Sequence, residues 1–366
     1  MICPHCERNL LRKERTGNRC THCGRRYALD PKTNPLRLND LRVRRITAKL
    51  TDEGRIQVTP GQLWYALSRK QFKDGEFAAG CVVPALAVAL ITGFISAAAE
   101  LPFLAVVSAG LLLTAPGILI ARLAGAGKGI PPMTRGAFRS EALAEWRRVY
   151  GGLPPGVVDD SRHPWPGRPT AGAAGAAEAA EAVGDTVVLV CPDPSIASFL
   201  AADGLPDRYG ITLAQGPKDA LALPSRGPLL VLHDADAGGE LLVRQLRDAQ
   251  PGRTVVDAGL ALRTVRGLPQ AVPYRDPRRK PDAETMRRLS ALGAYTPEEL
   301  KWLQQGWRFP LVGVPPFRLL TVVTRLAEQV TRSTDADRRR AADLGFMTWP
   351  GPVGPGPVGP GPAGGR

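Results

Sequence analysis

The chain has 366 residues, with 48 Lys plus Arg against 34 Asp plus Glu and a formal net charge of +14 at neutral pH. That length excludes a single small domain and predicts two or three folded units, and the charge predicts acidic partners such as phosphate backbones, anionic lipid or acidic proteins. Gly (40) and Pro (35) are abundant throughout, a coding bias that also inflates Arg and discounts part of the basic signal.

The N-terminal segment MICPHCERNLLRKERTGNRCTHCGRRY places Cys3, Cys6, Cys20 and Cys23 in two Cys-x-x-Cys pairs. Cys-Pro-x-Cys and Cys-x-x-Cys-Gly form tight turns in which backbone amides point at thiolates. Two such knuckles close a tetrahedral four-sulfur site, which suits Zn2+. Residues 1–27 resemble the zinc-ribbon family, with CPHC and CTHCG as the matching knuckles. The resemblance implies a small β zinc ribbon over 1–29 whose metal is structural, because four thiolates leave no open coordination position. His5 and His22 lie inside the knuckles and are expected to be bystanders.

Residues 30–76 form a basic segment. LRVRRITAKL reads as a strand, Asp52-Glu53-Gly54 as a turn, and Thr59-Pro60 opens a helix with Leu63, Trp64 and Leu67 on one face. Residues 1–77 hold 17 Lys/Arg and 8 Asp/Glu. The expected partner of these cations is an anionic lipid surface, with nucleic acid the alternative.

FAAGCVVPALAVALITGFISAAA (77–99) and LPFLAVVSAGLLLTAPGILIA (101–121) carry no charge. Each is long enough for a helix to cross about 30 Å of hydrocarbon, so 77–123 is expected to form a two-helix transmembrane hairpin in the lipid bilayer. Arg69, Lys70 and Lys73 precede it and Arg122, Lys128, Arg135 and Arg139 follow. The positive-inside rule then predicts a multi-pass protein of the plasma membrane with both termini in the cytoplasm. In a reducing compartment the cysteine pairs are expected to bind metal and not to form disulfides.

Within 124–184, TRGAFRSEALAEWRRVYGG has helical spacing, and LPPGVVDDSRHPWPGRP followed by an Ala/Gly/Glu run reads as a linker. Residues 185–262 alternate strand and helix: TVVLVC, ITLAQG, PLLVLHD and TVVDAGL are short apolar strands. The pattern predicts a Rossmann-like parallel sheet with its ligand site outside the carboxyl ends of the strands. There the chain places Asp193, Asp234 and Asp236. HDADAGGELL resembles the Toprim family through Asp234, Asp236 and Gly239. That resemblance implies Mg2+ at the Asp-x-Asp and phosphoryl-transfer or nuclease-like chemistry. CPDP stands where the family carries a glutamate, which leaves Asp193 as the substitute ligand. The bland reading is that Asp236 caps the following helix and Asp234 ends a strand. Cys191 and His233 are expected to be packed strand residues.

Residues 263–346 read as helices. TPEELKWLQQGW opens with a capping box from Thr296 to Glu299, and PPFRLLTVVTRLAEQV sets Leu319, Val322, Val323, Leu326 and Val330 on one stripe. The Gly/Pro tail 347–366 reads as disordered. The expected protein is a membrane-anchored, zinc-stapled scaffold holding protein partners, more plausibly not an enzyme; the alternatives are the Mg2+-dependent phosphoryl-transfer enzyme and a membrane-anchored nucleic-acid binder.

Overall fold

The computed structural model describes residues 1–74, 88–92, 94–95, 128–161, 186–223 and 225–334. Four three-residue strands, β1 (Val188–Val190), β2 (Thr212–Ala214), β3 (Leu229–Val231) and β4 (Val255–Asp257), form one sheet in the order β2-β1-β3-β4. Every pair is parallel, with Val188 opposite both Thr212 and Leu229, and Leu229 opposite Val255. The expected parallel sheet is therefore present, its strands shorter than the apolar runs that signalled them.

Period-two alternation divides the sheet between two cores. Leu189, Leu213 and Leu230 face a large core shared with α1 (Asp40–Leu50), α2 (Pro60–Asp74), α4 (Pro194–Ala202) and α11 (Pro316–Thr334). Between α2 and α4 in sequence comes α3, which runs from Arg135–Ala137 through a π-helical turn, Phe138–Leu143, into Ala144–Tyr150. Val188, Val190, Leu229 and Val231 face the opposite side, against α6 (Pro217–Ala222) and α7 (Ala237–Ala249). Burial on both faces explains why these strands are continuous apolar runs and do not alternate with polar residues. The chain order reverses between β1 and β3, so the crevice there is the topological switch point. The remaining helices are α5 (Leu205–Tyr209), α8 (Leu262–Arg266), α9 (Ala283–Ala291) and α10 (Pro297–Gln304). A two-residue ribbon pairs β5 (Tyr274–Arg275) with β6 (Trp307–Arg308) in antiparallel fashion.

Three expectations are corrected here. The transmembrane hairpin, and with it the multi-pass plasma-membrane localisation with cytoplasmic termini, is overturned: among the described residues no helix is long and apolar enough to cross a membrane. Most of 77–99 and all of 101–121 lie outside the described residues; what is described of them, 88–92 and 94–95, is two short helical pieces. The longest described helix, α11, carries Arg318, Arg325 and Glu328 and buries a single stripe, Leu319, Val323, Ala327 and Val330, in the large core. A helix with one buried stripe and charges on its other face satisfies a protein surface and not a hydrocarbon slab. Val322, expected on that stripe, is exposed.

The segment LRVRRITAKL is a helix and not a strand. Asn39 caps it by accepting from the Arg42 amide at 2.8 Å, and Val43 and Thr47 are buried one turn apart. The start of the expected linker is also fixed structure. Val157 bridges to Val58, Asp159 pairs with Arg147 at 2.6 Å, and Asp160 is buried against Arg139 and Ser195. The Ala/Gly/Glu run and the Gly/Pro tail 347–366 lie outside the described residues.

Candidate metal centre and the acidic strand ends

The N-terminal knuckles are built alike. Cys3 donates its amide to the Arg8 carbonyl and accepts from the Glu7 amide; Cys20 does the same with Arg25 and Gly24. Each loop closes on a left-handed residue, Glu7 (φ 58°) in the first and Gly24 (φ 68°) in the second. Glycine enters this conformation freely, while Glu7 is held there by the knuckle's own hydrogen bonds. The two turns bring all four Sγ atoms within 4.8 Å of one another. Cys3 to Cys23 and Cys6 to Cys20 are each 3.8 Å apart, and none of the four is in a disulfide. Burial pushes the Cys3 thiol up. Burial opposes ionisation of Cys20 as well, but the Cys23 and His22 amides outweigh it and bring that thiol down to about 7. Four closely spaced thiols able to share one metal ion are thus in place. His5 and His22 stand aside: His5 Nε2 meets the Arg26 carbonyl at 2.8 Å, and His22 faces Arg8.

This cluster, with Leu10 and Tyr27, forms its own small core. It is clasped to the body by Asp40, a buried carboxylate that accepts the amides of Ala28 and Leu29, each at 2.8 Å, and the Tyr150 hydroxyl. Arg44 donates to the Pro4 carbonyl and lies over the rings of Trp146 and Tyr150. Arg42 and Arg69 likewise donate to backbone carbonyls, of Leu67 and Gln270. Several cations of the basic segment are therefore internal fastenings.

At the switch point, Asp193 follows β1 and Asp234 and Asp236 follow β3, with side chains 14, 16 and 17 % exposed. Each is already engaged. Asp193 caps α4 through the Ser195 amide at 2.8 Å and receives a two-pronged contact from Arg135, both distances 2.9 Å. Asp234 accepts from the Leu311 amide at 2.7 Å. Asp236 caps α7 through the Gly239 amide at 2.8 Å and pairs with Arg308 at 3.2 Å. Arg308 also reaches Asp234 at 4.0 Å. Among the described residues, only the four cysteines come close enough together to share a metal ion; the three aspartates do not.

Burial raises Asp234 to about 7, reinforced by the charges of Asp236 and Asp193 and partly offset by the Leu311 amide and Arg308. Cys191 and His233 are packed, as the strand pattern implies. His233 nevertheless places both ring nitrogens against acceptors, Nδ1 on the Asp234 carbonyl at 2.8 Å and Nε2 on the Asp257 carboxylate at 3.1 Å. Burial opposes its charge, but these two acceptors prevail and raise its pKa. Arg135, Arg308 and Asp257 carried no signal in the sequence, because each reaches its partner across a large separation in the chain.

The fold and this site define a doubly wound α/β protein with a four-cysteine knob and a charge-compensated acidic strand end. No protein family, no curated protein and no solved structure matches the chain, so neither the zinc-ribbon nor the Toprim resemblance gains support from a relative.

Proposed function

We propose that the chain is a zinc-stapled interaction protein in which Cys3, Cys6, Cys20 and Cys23 hold a structural Zn2+ and the α/β body presents the ribbon to protein partners. The observation that carries the metal part of this reading is the pair of 3.8 Å sulfur separations. Tetrahedral ligation at the usual Zn–S length of about 2.3 Å sets sulfur atoms about 3.8 Å apart, whereas a disulfide sets them about 2 Å apart. A metal closed off by four thiolates supplies folding free energy and no reactive position. The test is metal content of the purified chain with the absorption spectrum of its cobalt-substituted form. One zinc per chain and a tetrahedral thiolate spectrum, both lost in Cys3→Ser with Cys20→Ser, support the reading; a metal-free wild-type chain that keeps its fold defeats it.

The second reading, nucleic-acid binding by the ribbon, is favoured by one feature. Arg8, Arg12, Lys13, Arg19, Arg25 and Arg26 are exposed on it, and none forms an ion pair with a described carboxylate. Affinity for DNA or RNA falling steeply with salt, and lost when Arg19, Arg25 and Arg26 become alanine, would establish it. The phosphoryl-transfer reading is not carried forward. Asp193, Asp234 and Asp236 are engaged by caps, a backbone amide and arginines, and among the described residues they do not form a group of three that could share an ion.

A further inference from the structure

A cleft of about 320 Å³ opens beside the carboxyl end of β3, between the first turn of α7, the loop before α9, and β6. Asp236, Gly238, Arg279, Lys280, Trp307 and Arg308 are among its lining residues. Its two carboxylates are consumed locally. Asp236 caps α7 and pairs with Arg308, and Asp282 caps α9 through the Thr285 amide at 2.7 Å. Its cations are less committed. Among the described residues no carboxylate lies within ion-pair distance of Lys280, and Arg279 has only the distant Asp276 at 3.9 Å. Arg308, in contrast, is nine-tenths buried and committed to Asp236 at 3.2 Å and Asp234 at 4.0 Å, which leaves Arg279 and Lys280 as the available cations. Gly238 adds room: a Cβ there would meet nothing nearer than an Asp236 oxygen at 3.6 Å. The first turns of two helices, α7 and α9, open onto the same space; the caps take the Gly239 and Thr285 amides and offset the helix-end charge, leaving the remaining first-turn amides as neutral donors.

We propose that this cleft is an anion site for a phosphorylated small molecule, held by Arg279 and Lys280 at the mouth and by the amides of the α7 first turn at the floor. Cleft, cations and helix ends lie at the carboxyl edge of a doubly wound sheet, where such folds bind ligands. No metal is needed, because the compensating charge is supplied by side chains. The site is independent of the cysteine cluster and of the role given to it above.

Isothermal titration of the full-length chain, at fixed ionic strength and without divalent cations, tests the assignment with two probes, inorganic phosphate and ADP. Saturable binding of at least one probe is expected. Arg279→Ala with Lys280→Ala should weaken it at least about tenfold, the loss of one charge-assisted contact. Gly238→Leu, which fills the cleft without altering any charge, should weaken it comparably. Arg287→Ala with Arg288→Ala, on α9 but outside the cleft lining, should leave it unchanged. Equal affinities for the two probes assign the site to the phosphoryl group alone; tighter ADP binding assigns it to a nucleotide. Three results overturn the proposal: no binding of either probe below about 1 mM, equal weakening in both charge-deletion variants, or undiminished binding in Gly238→Leu.

Discussion

Burial raises the Asp234 carboxyl to about 7, and the charges of Asp236 and Asp193 reinforce the shift against one backbone amide and one arginine. Because the folded state holds this proton more tightly than the unfolded chain does, the contribution to stability is complete below about pH 4 and is lost as pH rises through 7. Asp234→Asn keeps an oxygen for the Leu311 amide and removes the charge. Its stability relative to wild type should climb between about pH 4 and pH 7, by an amount on the order of 4 kcal/mol; a pH-independent difference in denaturation midpoint would refute this. His233 shifts in the same direction: burial opposes its charge, but its two acceptors, among them the Asp257 carboxylate, raise its pKa, so its contribution is present below about pH 6.5 and is lost as pH rises. Asp257→Asn should therefore destabilise most between about pH 4 and 6.5, where the carboxylate is charged and the imidazole protonated, and less above that window. Melting temperatures across pH check the shape. Asp40 makes the third case. Its removal in Asp40→Ala orphans three donors in a buried site and should cost about 2–4 kcal/mol by denaturant titration, against about 1 kcal/mol for Tyr150→Phe, which deletes one of them.

Among the elements, those with a local chemical signature were legible. The Thr296–Glu299 capping box forms as its spacing implies, with both reciprocal hydrogen bonds present, and Thr296→Ala should lower stability by about 1 kcal/mol in the same titration. The helix ending at Gly151 and the cap at Asp236 were legible for the same reason, that caps and left-handed glycines act over a few residues. Helix α1 was not. Leu41, Val43, Arg45 and Thr47 alternate as a strand would, while Val43, Ile46, Thr47 and Leu50 recur as a helix would, and the residues are β-branched enough to suit either. Packing decided it: the buried Asp40 carboxylate clasps the knob only when it projects from the first turn of a helix capped by Asn39.

At the scale of the molecule, the knob and the sheet have separate hydrophobic cores joined by the Asp40 and Arg44 fastenings. Removal of the proposed metal should therefore be a local event. On treatment with a strong chelator, amides of the two knuckles should exchange with solvent rapidly while those of β1 and β3 stay protected, as read by hydrogen exchange; simultaneous loss of protection in both would show one cooperative unit. The same scale corrects the membrane reading. Mean apolarity over a window measures transfer into hydrocarbon, but helices such as α7 and α11 bury a single stripe against the protein, and among the described residues no helix is long and apolar enough to cross a membrane.

The sequence by itself determined the cysteine pairs, the alternation of strand and helix, and the helix caps, because each depends on spacing along a few residues and on the chemistry of the side chains in them. It also placed Asp193, Asp234 and Asp236 at the ends of strands, since parallel sheets put such residues at one edge. Only the tertiary structure decided what those carboxylates do. Arg135 and Arg308 arrive from distant segments to neutralise them, and long-range electrostatic pairing leaves no mark in local pattern. The same is true of the basic run Arg275–Lys280. Folded against β6 and the starts of two helices, Arg279 and Lys280 line a cleft that six residues of sequence do not announce.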